Sequence, residues 1–163
     1  MITLQLERLN LNAPYYVWRD EDGDLFFKTD EGLLYSVEMD ENYDTLQYKT
    51  CVFGIRNKDK TLSHGDPKLK ATVLAIIEEF FLSNHGVLLY ICSTKDRKQE
   101  LRFRLFLRWF NTYEHRDLYV IRTLEKVMDD TVPNYGAIIV EKDHPEFDII
   151  MEKFDEIAAF FMK

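Results

Sequence analysis

Arginine carries the most distinctive chemistry in this sequence. Between Lys95 and Arg116 stand seven bases (Lys95, Arg97, Lys98, Arg102, Arg104, Arg108, Arg116) against three acids (Asp96, Glu100, Glu114), a local charge of +4 in a chain of net charge −8. On a helix, separations of seven and four put Arg97, Arg104 and Arg108 on one face, while Phe103, Phe106, Leu107 and Phe110 form an apolar stripe. A row of guanidinium groups grips carboxylates or phosphates through forked N–H donors. The plainer alternative is that these arginines pair with the acidic remainder and cover apolar surface with their stems. Trp109, beside the row, is a candidate hot spot for binding or a packed aromatic. Arg97, Arg104, Arg108 and Trp109 are therefore the candidate ligand- or partner-binding residues.

Other residue types offer less. Asp20, Asp22 and Asp24 have the opening spacing of a calcium loop, but Gly23 falls at position four rather than six. The strand pattern Leu25–Thr29 denies the loop its curl, so the acids read as solvated hairpin turns. No two of His64, His85, His115 and His144 lie four apart, and none stands with a cysteine at zinc spacing, so no metal is expected. His64, in a polar loop, is the histidine best placed to titrate. Cys92-Ser93 follows a strand and precedes a helix, where a helix N-terminus lowers a thiol pKa. No glycine elbow surrounds the pair, and His115 is its one plausible base. Cys51 and Cys92 otherwise read as small buried hydrophobes. Glycine patterns that cradle phosphate, G-x-G-x-x-G and G-x-x-x-x-G-K-S/T, are missing. These residues imply no catalytic set and no cofactor, and the reading leans away from an enzyme.

The whole-chain charge points the same way. A pI near 5.0 disfavours nonspecific nucleic-acid binding and anionic membrane surfaces, both of which call for Lys and Arg. No charged region followed by a long apolar stretch opens the chain, and no apolar run reaches the length of a membrane span. The expectation is a cytoplasmic protein.

The elements that would position these residues are well punctuated. Ile2, Leu4, Leu6, Leu9 and Leu11 suggest a strand or lead-in arm ended by Pro14. Strands are expected at Tyr15–Arg19, Leu25–Thr29, Leu33–Met39 and Leu46–Ile55, separated by Asp/Gly turns and a polar loop. Asp66 as N-cap with Pro67 behind it opens a helix that stops at Asn84-His85-Gly86. Val87–Cys92 is a continuous apolar run, as in a central strand, and Thr94 caps a helix to about Asn111. Leu118–Leu124 and Gly136–Val140 read as strands joined by an irregular Asp129–Asn134. Asp143 with Glu146 opens a last helix whose stripe is Phe147, Ile150, Met151, Phe154, Ile157, Ala158 and Phe161. The expectation is one α+β domain over residues 1–163, mainly antiparallel, in the order β-β-β-β-α-β-α-β-β-α.

Two resemblances accompany these patterns. Val87–Phe110, with its strand, Asp-bearing turn and Arg-rich aromatic helix ending in Arg108-Trp109-Phe110, resembles an uncharacterised family of small soluble bacterial proteins. That resemblance implies no particular activity. From Leu46 to Val140 the order of elements is similar to the second half of the GNAT acetyltransferase superfamily. It implies a GNAT-like fold, with a coenzyme A pyrophosphate loop matching RNKDKTLSHGDP. Arg56 and Gly65 are present there, but the family's glycine pair is not. Leu105 and Phe106 stand where that family carries a general-acid tyrosine.

Three readings follow. The leading one is a non-enzymatic interaction or regulatory module, acting on a protein partner or as a homodimer through segregated charge. The alternative is a small-ligand or acyl-coenzyme A protein, including a divergent or inactive acyltransferase. A nucleic-acid partner for the Arg-aromatic helix ranks third, opposed by the acidity elsewhere.

Overall fold

The computed structural model describes residues 2–42, 48–59, 65–92, 98–129 and 132–161. Within them, four helices and seven strands, mainly antiparallel, make the chain α+β. The elements are α1 (Leu6–Asn12), β1 (Trp18–Arg19), β2 (Leu25–Lys28), β3 (Leu34–Asn42), β4 (Thr50–Asn57), α2 (Pro67–Ser83), β5 (Val87–Cys92), α3 (Gln99–Asn111), β6 (Tyr119–Asp129), β7 (Val132–Glu141) and α4 (Phe147–Phe161). The order expected from sequence is reproduced, with α1 added in front. The chain groups into two compact units, Met1–Asp40 with Phe53–His85, and Glu41–Val52 with Gly86–Lys163.

In the first unit the strands run β1-β2-β3-β4. Gly23 (φ 92°) and Gly32 (φ 82°) supply the left-handed backbone that turns β1 into β2 and β2 into β3. The register pairs Trp18 with Phe26 and Leu25 with Val37. Alternation then buries Leu25, Phe27, Tyr35 and Val37, and the rings of Tyr15, Phe27 and Tyr35 stack in a row at 6.1 and 5.5 Å. Helix α2 starts as its sequence dictates. Asp66 accepts from the Lys68 N–H at 2.9 Å, and Pro67 occupies the first turn. Its other carboxylate oxygen accepts from the Tyr15 hydroxyl at 2.6 Å. The helix ends at Asn84 in extended backbone, where the side-chain amide donates to the Phe80 and Thr3 carbonyls.

The opening segment departs from expectation, because it is the helix α1 and not a strand or arm. Leucines at alternating positions carry a strand signal, but a tertiary partner overrides it. Glu79 of α2 accepts from the Gln5 N–H at 2.8 Å, which serves the helix start in place of a local cap, and it also binds Arg8. Leu9 is buried and Leu11 is 85% exposed.

In the second unit the order is β5-β7-β6, all antiparallel. The expected irregular segment Asp129–Asn134 is largely strand, since β6 runs to Asp129 and β7 begins at Val132. Ladder pairing continues because one extra residue in β6, between Leu124 and Val127, absorbs the mismatch as a bulge. β4 lies later than expected, and residues 46–47 of the expected Leu46–Ile55 strand fall outside the described set. One sheet face turns Val87, Leu89, Ile138 and Val140 toward Ile150, Met151 and Phe154 of α4. The opposite face carries Tyr90, Tyr135 and Tyr119, which pack on Phe103, Phe106 and Phe110 of α3. The two helices thus cover opposite faces of β5-β7-β6, as the two-residue alternation of a strand requires.

The start of α4 corrects another expectation. Asp143 is exposed, and the buried His144 caps the turn, its Nδ1 accepting from the Glu146 N–H at 3.0 Å. The His144 ring stands edge-on to Tyr48 at 6.3 Å. Burial and a hydrogen bond to Glu146 push the Tyr48 phenol up to about 12.

Candidate interaction surface

Helix α3 is anchored by three phenylalanines. Phe103, Phe106 and Phe110 are each 2% exposed or less, and the Phe106 ring lies 4.1 Å from that of Tyr90. Fixing that side of a 3.6-residue helix fixes the other. Leu101 (70% exposed), Leu105 (39%), Arg104 and Arg108 therefore face outward as one stripe at spacings of three to four residues. Leu107, expected in the buried stripe, is half-buried on its flank.

The four candidate residues divide. Arg104 and Arg108 share the exposed face as expected. Arg104 pairs with Glu100 one turn before it at 3.3 Å and with Glu125 of β6 at 3.5 Å. Burial, followed by the charge and hydrogen bond of the same Glu100, holds the Tyr135 phenol above its ordinary value. Arg108 makes no ion pair among the described residues. Trp109 is half-buried, off the centre of the stripe. Arg97 lies outside the described residues, as do Thr94, Ser93 and His64. Within α3, pairing with acids describes Arg104, and an available cation describes Arg108.

Behind α3, Tyr90 and Cys92 project from one face of β5 and are 4% and 5% exposed. Burial, the neighbouring Cys92 and a hydrogen bond to it hold the Tyr90 phenol high, with Arg102 opposing. The thiol is thus packed in the aromatic layer, as the small-hydrophobe reading expects, and Cys51 is equally buried. His115 is exposed and edge-on to Tyr113 at 5.5 Å. In the hairpin turn, Asp20 Oδ1 accepts from the Asp22 and Asp24 amides, so this carboxylate closes the loop that carries it. Crowding raises Asp24 through burial first and then Asp20, Glu38, Asp40 and Asp22.

Sequence reasoning missed His144 as a cap and Glu79 as an anchor, since each works through a partner that spacing does not reveal. Among the described residues no helix is long and apolar enough to cross a membrane.

An α+β chain with an aromatic-backed helix offering leucines and arginines outward is the class that fold and surface define. The chain belongs to a family of unknown function (DUF6169), matched over residues 65–156. That span holds α2 through most of α4, and so the whole of α3. No curated protein and no solved structure matches the chain.

Proposed function

We propose that this chain is a non-enzymatic protein-interaction module of the cytoplasm, folded as a single domain, with the outer face of α3 as its recognition surface. One observation carries the reading: α3 commits its phenylalanines to the core and leaves Leu101 and Leu105 in solvent beside Arg104 and Arg108. Exposed leucines lose contact with water on docking, at about 25 cal/mol per Å² of apolar surface. Flanking arginines set register and orientation through complementary charge. The partner chemistry that fits is an acidic amphipathic helix laid along the stripe.

Fluorescence anisotropy with a synthetic helical peptide, Leu and Glu alternating at helical spacing, tests this. Saturable binding is expected, weakened at least about tenfold by Leu101→Ala with Arg108→Glu. Neither change touches a buried group, so unfolding midpoints should hold. Absence of saturable binding, or binding indifferent to both substitutions, overturns the reading. So does a stability gain of about 2.7 kcal/mol with acyl-coenzyme A at 100 times its dissociation constant, which would favour a ligand protein.

A further inference from the structure

The second unit carries a counterpart to the α3 stripe. Helix α4 buries Ile150, Met151 and Phe154 and turns Asp148, Ile149, Glu152, Asp155, Glu156 and Phe160 outward. Ile149, Glu152, Glu156 and Phe160 follow one another at spacings of three, four and four, which makes a single stripe. Its two large apolar groups are well exposed, Ile149 at 49% and Phe160 at 69%. None of the four acids is ion-paired among the described residues. One helix therefore shows leucine with arginine and the other isoleucine and phenylalanine with acids, at the same helical period.

Resting on the interaction-module reading, we propose that the partner of α3 is the α4 of a second copy of this chain. Arg104 and Arg108 meet Glu152 and Glu156, and Leu101, three residues before Arg104, packs against Ile149, three residues before Glu152. Because α3 and α4 cover opposite faces of β5-β7-β6, one neighbour cannot engage both. The contact is heterologous, and each copy keeps a free α3 at one end and a free α4 at the other, so copies add head to tail. Opposite charge sets the pairing and opposes α3 on α3 or α4 on α4, and the apolar residues supply adhesion that salt does not screen.

Sedimentation velocity on the full chain, across protein concentration and salt, tests the proposal. Mean mass should grow with concentration beyond two copies. It should fall as the screening length drops from about 30 Å in 0.01 M salt to about 3 Å in 1 M salt. Arg104→Glu with Arg108→Glu makes α3 acidic, and Glu152→Lys with Glu156→Lys makes α4 basic. Each double variant alone should stay monomeric, and their equimolar mixture should associate again, which also shows that both are folded. A small amount of the α3 variant added to unaltered chain should shorten the assemblies, since its α4 accepts a neighbour and its α3 does not. Monomer at every concentration in low salt, growth that halts at two copies, or no association in the mixture overturns the proposal. If the unaltered chain is monomeric yet α3 still binds the acidic peptide, self-docking falls and the interaction-module reading stands. If both fail, both fall.

Discussion

Replacing Glu79 with leucine removes the acceptor on which four donors converge. These are the Gln5 N–H at 2.8 Å, Arg8 Nε at 2.8 Å, Arg8 Nη2 at 3.0 Å and the Ser83 hydroxyl at 2.7 Å. The Glu79 side chain is 2% exposed and that of Arg8 is 37%. Breaking a fully buried pair costs about 3–5 kcal/mol, but because Arg8 is left in contact with water, losing the buried Glu79 carboxylate is discounted to about 1–2 kcal/mol. The Gln5 amide left without its acceptor adds about 1 kcal/mol. The half-buried Ser83 hydroxyl turns elsewhere, and the expected loss is about 2–3 kcal/mol in equilibrium urea unfolding. Because Glu79 fixes the start of α1, amide exchange in Leu6–Asn12 should rise more than in α3.

The acid limb gives a second readout. Burial raises the Glu79 carboxyl, and hydrogen bonds from Arg8, Ser83 and Gln5 outweigh it, so the folded group titrates below the usual glutamate value. A lowered folded pKa contributes stability that is complete above the ordinary value of about 4.3 and is lost as pH falls through the folded one. The stability gap between the parent chain and Glu79→Gln should therefore narrow below about pH 4. A leucine variant within about 0.5 kcal/mol of the parent, or unchanged exchange in α1, refutes the account of how this helix is held.

Two further outcomes are expected. Gly32→Ala should cost about 1 kcal/mol because its φ is +82° although nothing lies within 4 Å of the added methyl, while Gly54→Ala, equally open and without a positive φ, should be neutral or stabilising by thermal melts. The Tyr15 phenol is pushed up to about 12, by burial first and then by its hydrogen bond to Asp66. Its contribution is complete below the ordinary value of about 10 and is lost as pH rises through the folded one, so Tyr15→Phe should flatten the alkaline unfolding curve between about pH 10 and 12.

Most of this fold was legible where local chemistry decides the outcome. Asp66-Pro67 opened α2 as read, the Asp/Gly turns separated the strands of the first unit, and Val87–Cys92 is a strand paired with β7 along its whole length. The inward side of α3 was legible from phenylalanine spacing, which also put Arg104 and Arg108 outside. What escaped depends on residues distant in sequence. α1 rests on Glu79, about seventy positions away, and the β6/β7 ladder persists because a bulge repairs its register. The acid and apolar stripe of α4 was present in the same periodicity that located its core, but only the buried half of that helix was used.

β6 ends the strand order of its unit and is eleven residues long, and among the described residues its outer edge pairs with no further strand, which is where another chain could zip. The extra residue between Leu124 and Val127 breaks that edge into two short stretches that cannot both stay in step with a straight newcomer. Arg122 and Glu125, both exposed beside the break, add a requirement for matched charge. A crowded solution of this protein is thereby steered away from fibre-like growth through its backbone, and whatever company the chain keeps is selected by side chains on its helices.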